Sequence, residues 1–120
     1  MSNQILIVDD DPGILEALAY ILEDEGYTVI TEKKSEQVLS DVKKYNPAVL
    51  LLDVLMSGHD GRKICSRLKQ HTSTKHVPVI LISAHPTAGD AVAECGADGF
   101  LPKPFDIDLL LETISKYTTV

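Results

Sequence analysis

The chain has 120 residues, 44% of them hydrophobic and 24% charged, and 11 Lys and Arg stand against 18 Asp and Glu, for a net charge of −7. That length holds one domain with a core large enough to need no cross-links. The acidic balance, with no basic stripe, argues against direct nucleic-acid binding, and the longest apolar run, Ala48 to Leu52, is far too short to cross a bilayer.

Taken in order, apolar runs alternate with amphipathic stretches five times. Ile5 to Val8 is a short β-branched run. Pro12 to Glu25 places Ile14, Leu15, Leu18, Ala19, Ile21 and Leu22 at helical spacing, with Asp11 as N-cap, Pro12 at the first helical position and Gly26 as the stop. Thr28 to Thr31 reads as a strand. Ser35 caps a second helix that shows Val38, Leu39 and Val42 on one face and ends before Pro47. Val49 to Asp53 is a buried strand, and Gly61 to Gln70 a helix with Ile64, Cys65 and Leu68 inward. Val79 to Ser83 is again a strand, and Thr87 to Glu94 a short, weak helix stopped by Gly96. Gly99 to Pro102 is a short strand. Asp106 to Lys116 closes the chain as a helix with Ile107, Leu110, Leu111 and Ile114 inward.

Strands apolar on both faces, alternating with helices, define an α/β fold with a parallel sheet covered on both sides. Five such units suit a doubly wound five-stranded sheet of order 2-1-3-4-5, whose sites lie at the carboxyl ends of the strands. Cys65 and Cys95 form no CxxC pair, so neither a disulfide framework nor a zinc site follows; they read as reduced core residues of a cytoplasmic protein. The amino terminus carries no basic region followed by an apolar stretch, so no signal peptide is expected.

The strand ends carry the chemistry. The first runs into Asp9, Asp10 and Asp11, the third ends at Asp53, the fourth at Ser83, and the fifth is followed by Lys103. In a parallel sheet these ends share one edge, so the groups converge. Asp11, before Pro12, is the helix cap. Asp9, Asp10 and Asp53 would crowd three carboxylates, a repulsion that a cation relieves. Such hard oxygen donors suit Mg²⁺, although Mn²⁺ accepts them too. A carboxylate can attack phosphorus as a nucleophile, and phosphoryl transfer then needs alignment and charge neutralisation, to which the Lys103 ammonium and the Ser83 hydroxyl can contribute.

Ile5 to Pro12 (ILIVDDDP), Leu50 to Met56 (LLLDVLM), Ser83-Ala84 and Lys103 to Phe105 (KPF) occur in the order found in response-regulator receiver domains. The chain resembles that family from about residue 4 to residue 117. The resemblance implies a flavodoxin-like fold in a single receiver domain spanning 1–120, with no output domain. It implies a module that is not an enzyme acting on outside substrates: it takes a phosphoryl group from a phosphohistidine donor onto Asp53, with Mg²⁺ as cofactor, and signals by changing shape. Asp9 and Asp10 match the acidic pair, with Asp10 the direct metal ligand, and Asp53 joins them. Leu55 would lend its backbone carbonyl to the metal. Ser83 and Lys103 match the hydroxyl and lysine that read the phosphoryl group. Phe100 matches the aromatic that changes rotamer on activation, and Lys103-Pro104 a peptide bond often cis in the family. The implied partners are a histidine kinase or phosphotransfer protein upstream and a protein target or missing output domain downstream, with no nucleic acid or membrane, in the cytoplasm.

Two departures stand out. Ser57 replaces the proline that usually follows Met56, with Gly58 and His59 after it, which predicts a more mobile loop. Ser83 to Gly96 is about two residues shorter than is usual in the family, which predicts a truncated or partly disordered fourth helix. Leu55 and His85 hold the positions that tune dephosphorylation in the family; Leu55 cannot position a water, which predicts a long-lived phosphorylated state. His59 and His85 also lie on loops at the active edge, but no third imidazole or thiolate has suitable spacing for a transition metal. A Mg²⁺-dependent phosphatase would use the Asp9-x-Asp11 pattern, yet Pro12-Gly13 does not fit it and no cap domain is present. A flavin module would need a phosphate cradle where the acidic triplet stands.

Overall fold

The computed structural model describes residues 3–56, 58–85 and 91–118. Strand β1 (Gln4–Val8) leads to helix α1 (Pro12–Asp24), β2 (Thr28–Glu32), a 3₁₀ turn (Ser35–Gln37), α2 (Val38–Tyr45) and β3 (Val49–Asp53). A small antiparallel ribbon follows, pairing Leu55–Met56 with His59–Asp60. Then come α3 (Gly61–Gln70), β4 (Val79–Ser83), α4 (Ala91–Cys95), β5 (Gly99–Pro102) and α5 (Ile107–Ser115). The five long strands are all parallel and lie in the order β2-β1-β3-β4-β5, the doubly wound order expected.

Because successive strand residues face opposite ways, the sheet feeds two cores. Ile5, Ile7, Leu51, Ile80 and Ile82 meet α1 and α5 on one face; Leu6, Val8, Leu50, Leu52 and Leu81 meet α2, α3 and α4 on the other. All five residues of β3 and all five of β4 are buried, as central strands require.

Local chemistry sets the helix ends. Asp11 accepts from the Gly13 and Ile14 amides at the start of α1, Asp60 from the Arg62 amide at α3, and Asp106 from the Leu109 amide at α5. Asn46, with φ of 45°, ends α2 one residue before Pro47.

Two expectations need correction. Ser35 does not cap α2: it opens the 3₁₀ turn, and no side chain caps either that turn or α2. The short descent from β2 is made by a tight turn in which the Gln37 amide donates to the Lys34 carbonyl, so Ser35 is already inside it. Ile107 is 50% exposed, whereas Leu110 and Ile114 are fully buried. It sits on the first turn of α5, at the carboxyl edge, where less of the sheet lies beneath it.

Helix α4 is short, as expected, with five residues. The expected start at Thr87, and the disorder expected there, fall among residues 86–90, outside the described residues. Ser57 also lies outside them; Met56, just before it, pairs with His59 in the ribbon.

Candidate functional site: an acidic pocket at the carboxyl edge

The topology delivers the polar residues to one place. Asp9 follows β1 and is completely buried; Asp53 ends β3 and is 4% exposed; Ser83 ends β4 and is buried; Asp10 is exposed at the rim. One carboxylate oxygen from each of Asp9, Asp10 and Asp53 lies within 4.8 Å of the other two. Lys103, just past β5, reaches into this group from the far side. Its Nζ lies 2.7 Å from Asp9 Oδ2 and 3.6 Å from Asp53 Oδ2. The Lys103-Pro104 bond that follows is cis.

Backbone donors hold the buried carboxylates. The Asp11 amide donates to Asp9 Oδ1 at 2.9 Å, and the Leu55 amide to Asp53 Oδ1 at 3.3 Å. Asp9 is tied to the sheet as well, through its own amide to the Glu32 carbonyl. Burial, followed by the charge of Asp9, pushes the Asp53 carboxyl up to about 6; Asp10 adds to this, and Lys103 and the Leu55 amide oppose it.

The donor set fits a hard divalent cation. Three carboxylates against one ammonium leave two negative charges, and a divalent ion would cancel them. Asp9, Asp10 and Asp53 are the residues that could hold it. Among the described residues no other cluster of histidine, cysteine, aspartate or glutamate suited to a metal is found, and neither His59 nor His85 belongs to this one.

The other expected residues fall as follows. Ser83 Oγ accepts from the His85 amide at 2.9 Å, so its hydroxyl hydrogen is available to another acceptor. Leu55 is 57% exposed. Phe100 is half-buried in register with Leu81 and packs against the core under α2, α3 and α4. His76 lies away from the pocket, with its Nε2 2.7 Å from Asn46 Oδ1.

One residue of the site was not picked out from the sequence. A Cβ on Gly61 would collide with the Asp53 carbonyl oxygen and come within 2.9 Å of Val54 Cα. The Gly61 amide donates to the Val54 carbonyl at 2.7 Å. Only glycine lets α3 begin this close behind Asp53. The available signal was a glycine directly after an N-cap aspartate, too common a pattern to stand out.

Fold and pocket together define a doubly wound α/β module with an acidic pocket at the carboxyl edge of its sheet. The model of the response regulator receiver domain family matches residues 5–115, and the chain belongs to that family. It is 38% identical over 120 residues to the response regulator PleD of Caulobacter vibrioides, covering 98% of this chain and 26% of that protein. It is 35% identical over 113 residues to the response regulator MprA of Mycobacterium ulcerans, covering 92% and 48%. The chain thus spans about a quarter to a half of these relatives. Among solved structures, a putative response regulator from Chloroflexus aurantiacus superposes with a TM-score of 0.90 at 34% identity, covering 98% of both chains. The chemotaxis protein CheY4 of Vibrio cholerae superposes at 0.88 with 26% identity, covering 98% of this chain and all of that one.

Proposed function

We propose that residues 1–120 form one receiver domain that accepts a phosphoryl group on Asp53 from a phosphohistidine of a histidine kinase or phosphotransfer protein. The observation that carries this reading is the placement of a buried, carboxylate-flanked Asp53 within 3.6 Å of the only lysine in the pocket among the described residues. Asp9, Asp10 and Asp53, with the Leu55 carbonyl, would hold Mg²⁺, which would supply charge neutralisation for the phosphoryl oxygens.

The residues of the chain do the rest. At neutral pH an Asp53 held near 6 is largely ionised and available as a nucleophile. The Leu55 amide on Oδ1 fixes its rotamer. Lys103 pairs with Asp9 before transfer and, by a short swing, with the phosphoryl group afterwards. The Ser83 hydroxyl donates to the same group, and Phe100 turns inward behind it, which carries the change to a downstream protein target. Leu55 cannot hold a water for hydrolysis, so the phosphorylated state is long-lived.

The test is intact mass after incubation with Mg²⁺ and a small phosphodonor, for the wild type and Asp53→Asn. One added phosphoryl group in the wild type alone is expected. A gain in both would move the nucleophile off Asp53, and no gain in either would leave a receiver-shaped binding module. Leu55→Asn should shorten the lifetime of the phosphorylated protein; an unchanged decay rate would remove Leu55 from that role.

A further inference from the structure

Cys65 and Cys95 are thirty residues apart in sequence, yet the fold brings them into contact. Cys65, in the middle of α3, is fully buried, and its Sγ lies 3.5 Å from the carbonyl oxygen of Cys95, the last residue of α4. Both are buried, Cys65 completely and Cys95 to 6% exposure. Cys95 lines a surface groove of about 210 Å³ together with Arg62, Lys63, Ser66 and Glu94, whereas Cys65 does not reach it. Two of the groove's side chains are cationic and one is anionic. Burial, with the neighbouring Cys95 thiol adding to it, holds the Cys65 thiol well above the ordinary range. A small solute that enters the groove therefore meets Cys95 before Cys65.

We propose that Cys95 and Cys65 form a redox pair, in which a hydroperoxide oxidises Cys95 and Cys65 then closes a disulfide that ties α4 to α3. In the first step the Cys95 sulfur attacks the peroxide oxygen, the O–O bond breaks, and a sulfenic acid and one water (or alcohol) result. In the second step the Cys65 sulfur attacks the sulfenic sulfur, the S–O bond breaks, and the departing hydroxide takes the Cys65 proton as a second water. Sulfur is oxidised by two electrons and the peroxide reduced by two. Because Cys65 ionises reluctantly, the second step is the slow one, and the sulfenic acid persists long enough to trap. The pair acts on the segment between Ser83 and β5 and does not rest on the phosphoacceptor reading.

The test uses the full, reduced chain, treated with hydrogen peroxide and mapped by non-reducing peptide mass spectrometry, which separates any oxygen added to Met1 or Met56. The expected product is a monomer, lighter by two hydrogens at one cross-linked peptide pair joining Cys65 to Cys95, and restored by dithiothreitol. Cys65→Ala should stop at a sulfenic acid on Cys95 that a 1,3-dione traps, and Cys95→Ala should leave Cys65 unmodified. Overoxidation of Cys95 without a cross-link, a disulfide only between two copies, or two unreacted thiols in the folded wild type would each overturn the proposal. Should a variant fail to fold, the wild-type peptide map decides alone.

Discussion

Carboxyl groups crowd at two places in this molecule, and each place pushes one of them up to about 6. Opposite the end of β2, Asp41 on α2 is raised by burial first and then by its neighbour Glu32. Burial alone would raise Glu32 too, but Asp41 and the Lys34 and Lys33 amides hold it lower. The two shifts oppose each other within the pair. At the ends of β1 and β3 the balance is struck differently. Asp53 is raised by burial and by the Asp9 charge, and the compensation comes from Lys103, which lies on a different strand connection. A perturbed carboxyl by itself therefore records crowding. What distinguishes the pocket is the arrival of three carboxylates, a lysine and a hydroxyl from four separate strand ends.

That contrast can be broken by mutation. The largest effect is expected from Lys103→Ala, which strands a fully buried Asp9 beside two other carboxylates. It should cost about 3 kcal/mol in urea unfolding at neutral pH without metal, and Mg²⁺ should restore a larger share than it adds to the wild type. A loss below about 0.5 kcal/mol, the scale of a surface substitution, would mean that Lys103 does not hold the pocket together.

Next comes Asp53→Asn. A carboxyl raised from 3.8 to about 6 binds its proton more tightly in the folded state, so it lowers stability as pH rises from about 4 to about 6 and leaves it lower above that. The variant should match the wild type near pH 4 and exceed it by about 2 kcal/mol at pH 7 in metal-free buffer. Denaturant curves at both pH values check the sign; a wild type that is the more stable at pH 7 would contradict the raised carboxyl. Asp10→Asn should likewise raise the metal-free melting temperature, by less because Asp10 is exposed, and should abolish the stabilisation by Mg²⁺. The smallest effect is expected at the second cluster: Asp41→Asn should change stability by less than about 1 kcal/mol, with no change in the response to Mg²⁺. A Mg²⁺ response altered by Asp41→Asn would show that the two clusters are linked.

Much of this was legible in the sequence. Five apolar runs, four of them ending in or followed by a polar residue of the site, disclosed the parallel sheet and its active edge, and Asp9, Asp53 and Lys103 stood where that edge had to be. What stayed hidden depends on distances that no spacing encodes. Lys103 lies nearer to Asp9 than to Asp53, and the Asp9 amide is bound to the Glu32 carbonyl on the neighbouring strand. Cys65 and Cys95 meet only because α3 and α4 lie side by side on one face. Ile107 has the right period for the core but sits on a helix end that the sheet does not cover. Ser35 has the right chemistry for a cap, but the turn from β2 is too tight to use it.

The bond from the Gly61 amide to the Val54 carbonyl, and the collision that any Cβ at 61 would make with the Asp53 carbonyl oxygen, set the first turn of α3 directly against the backbone of the acceptor. No flexible side chain stands between them to take up a displacement. The helix and the acceptor thus behave as two parts of one rigid joint, and a push on α3 from outside is felt at Asp53 through main chain alone.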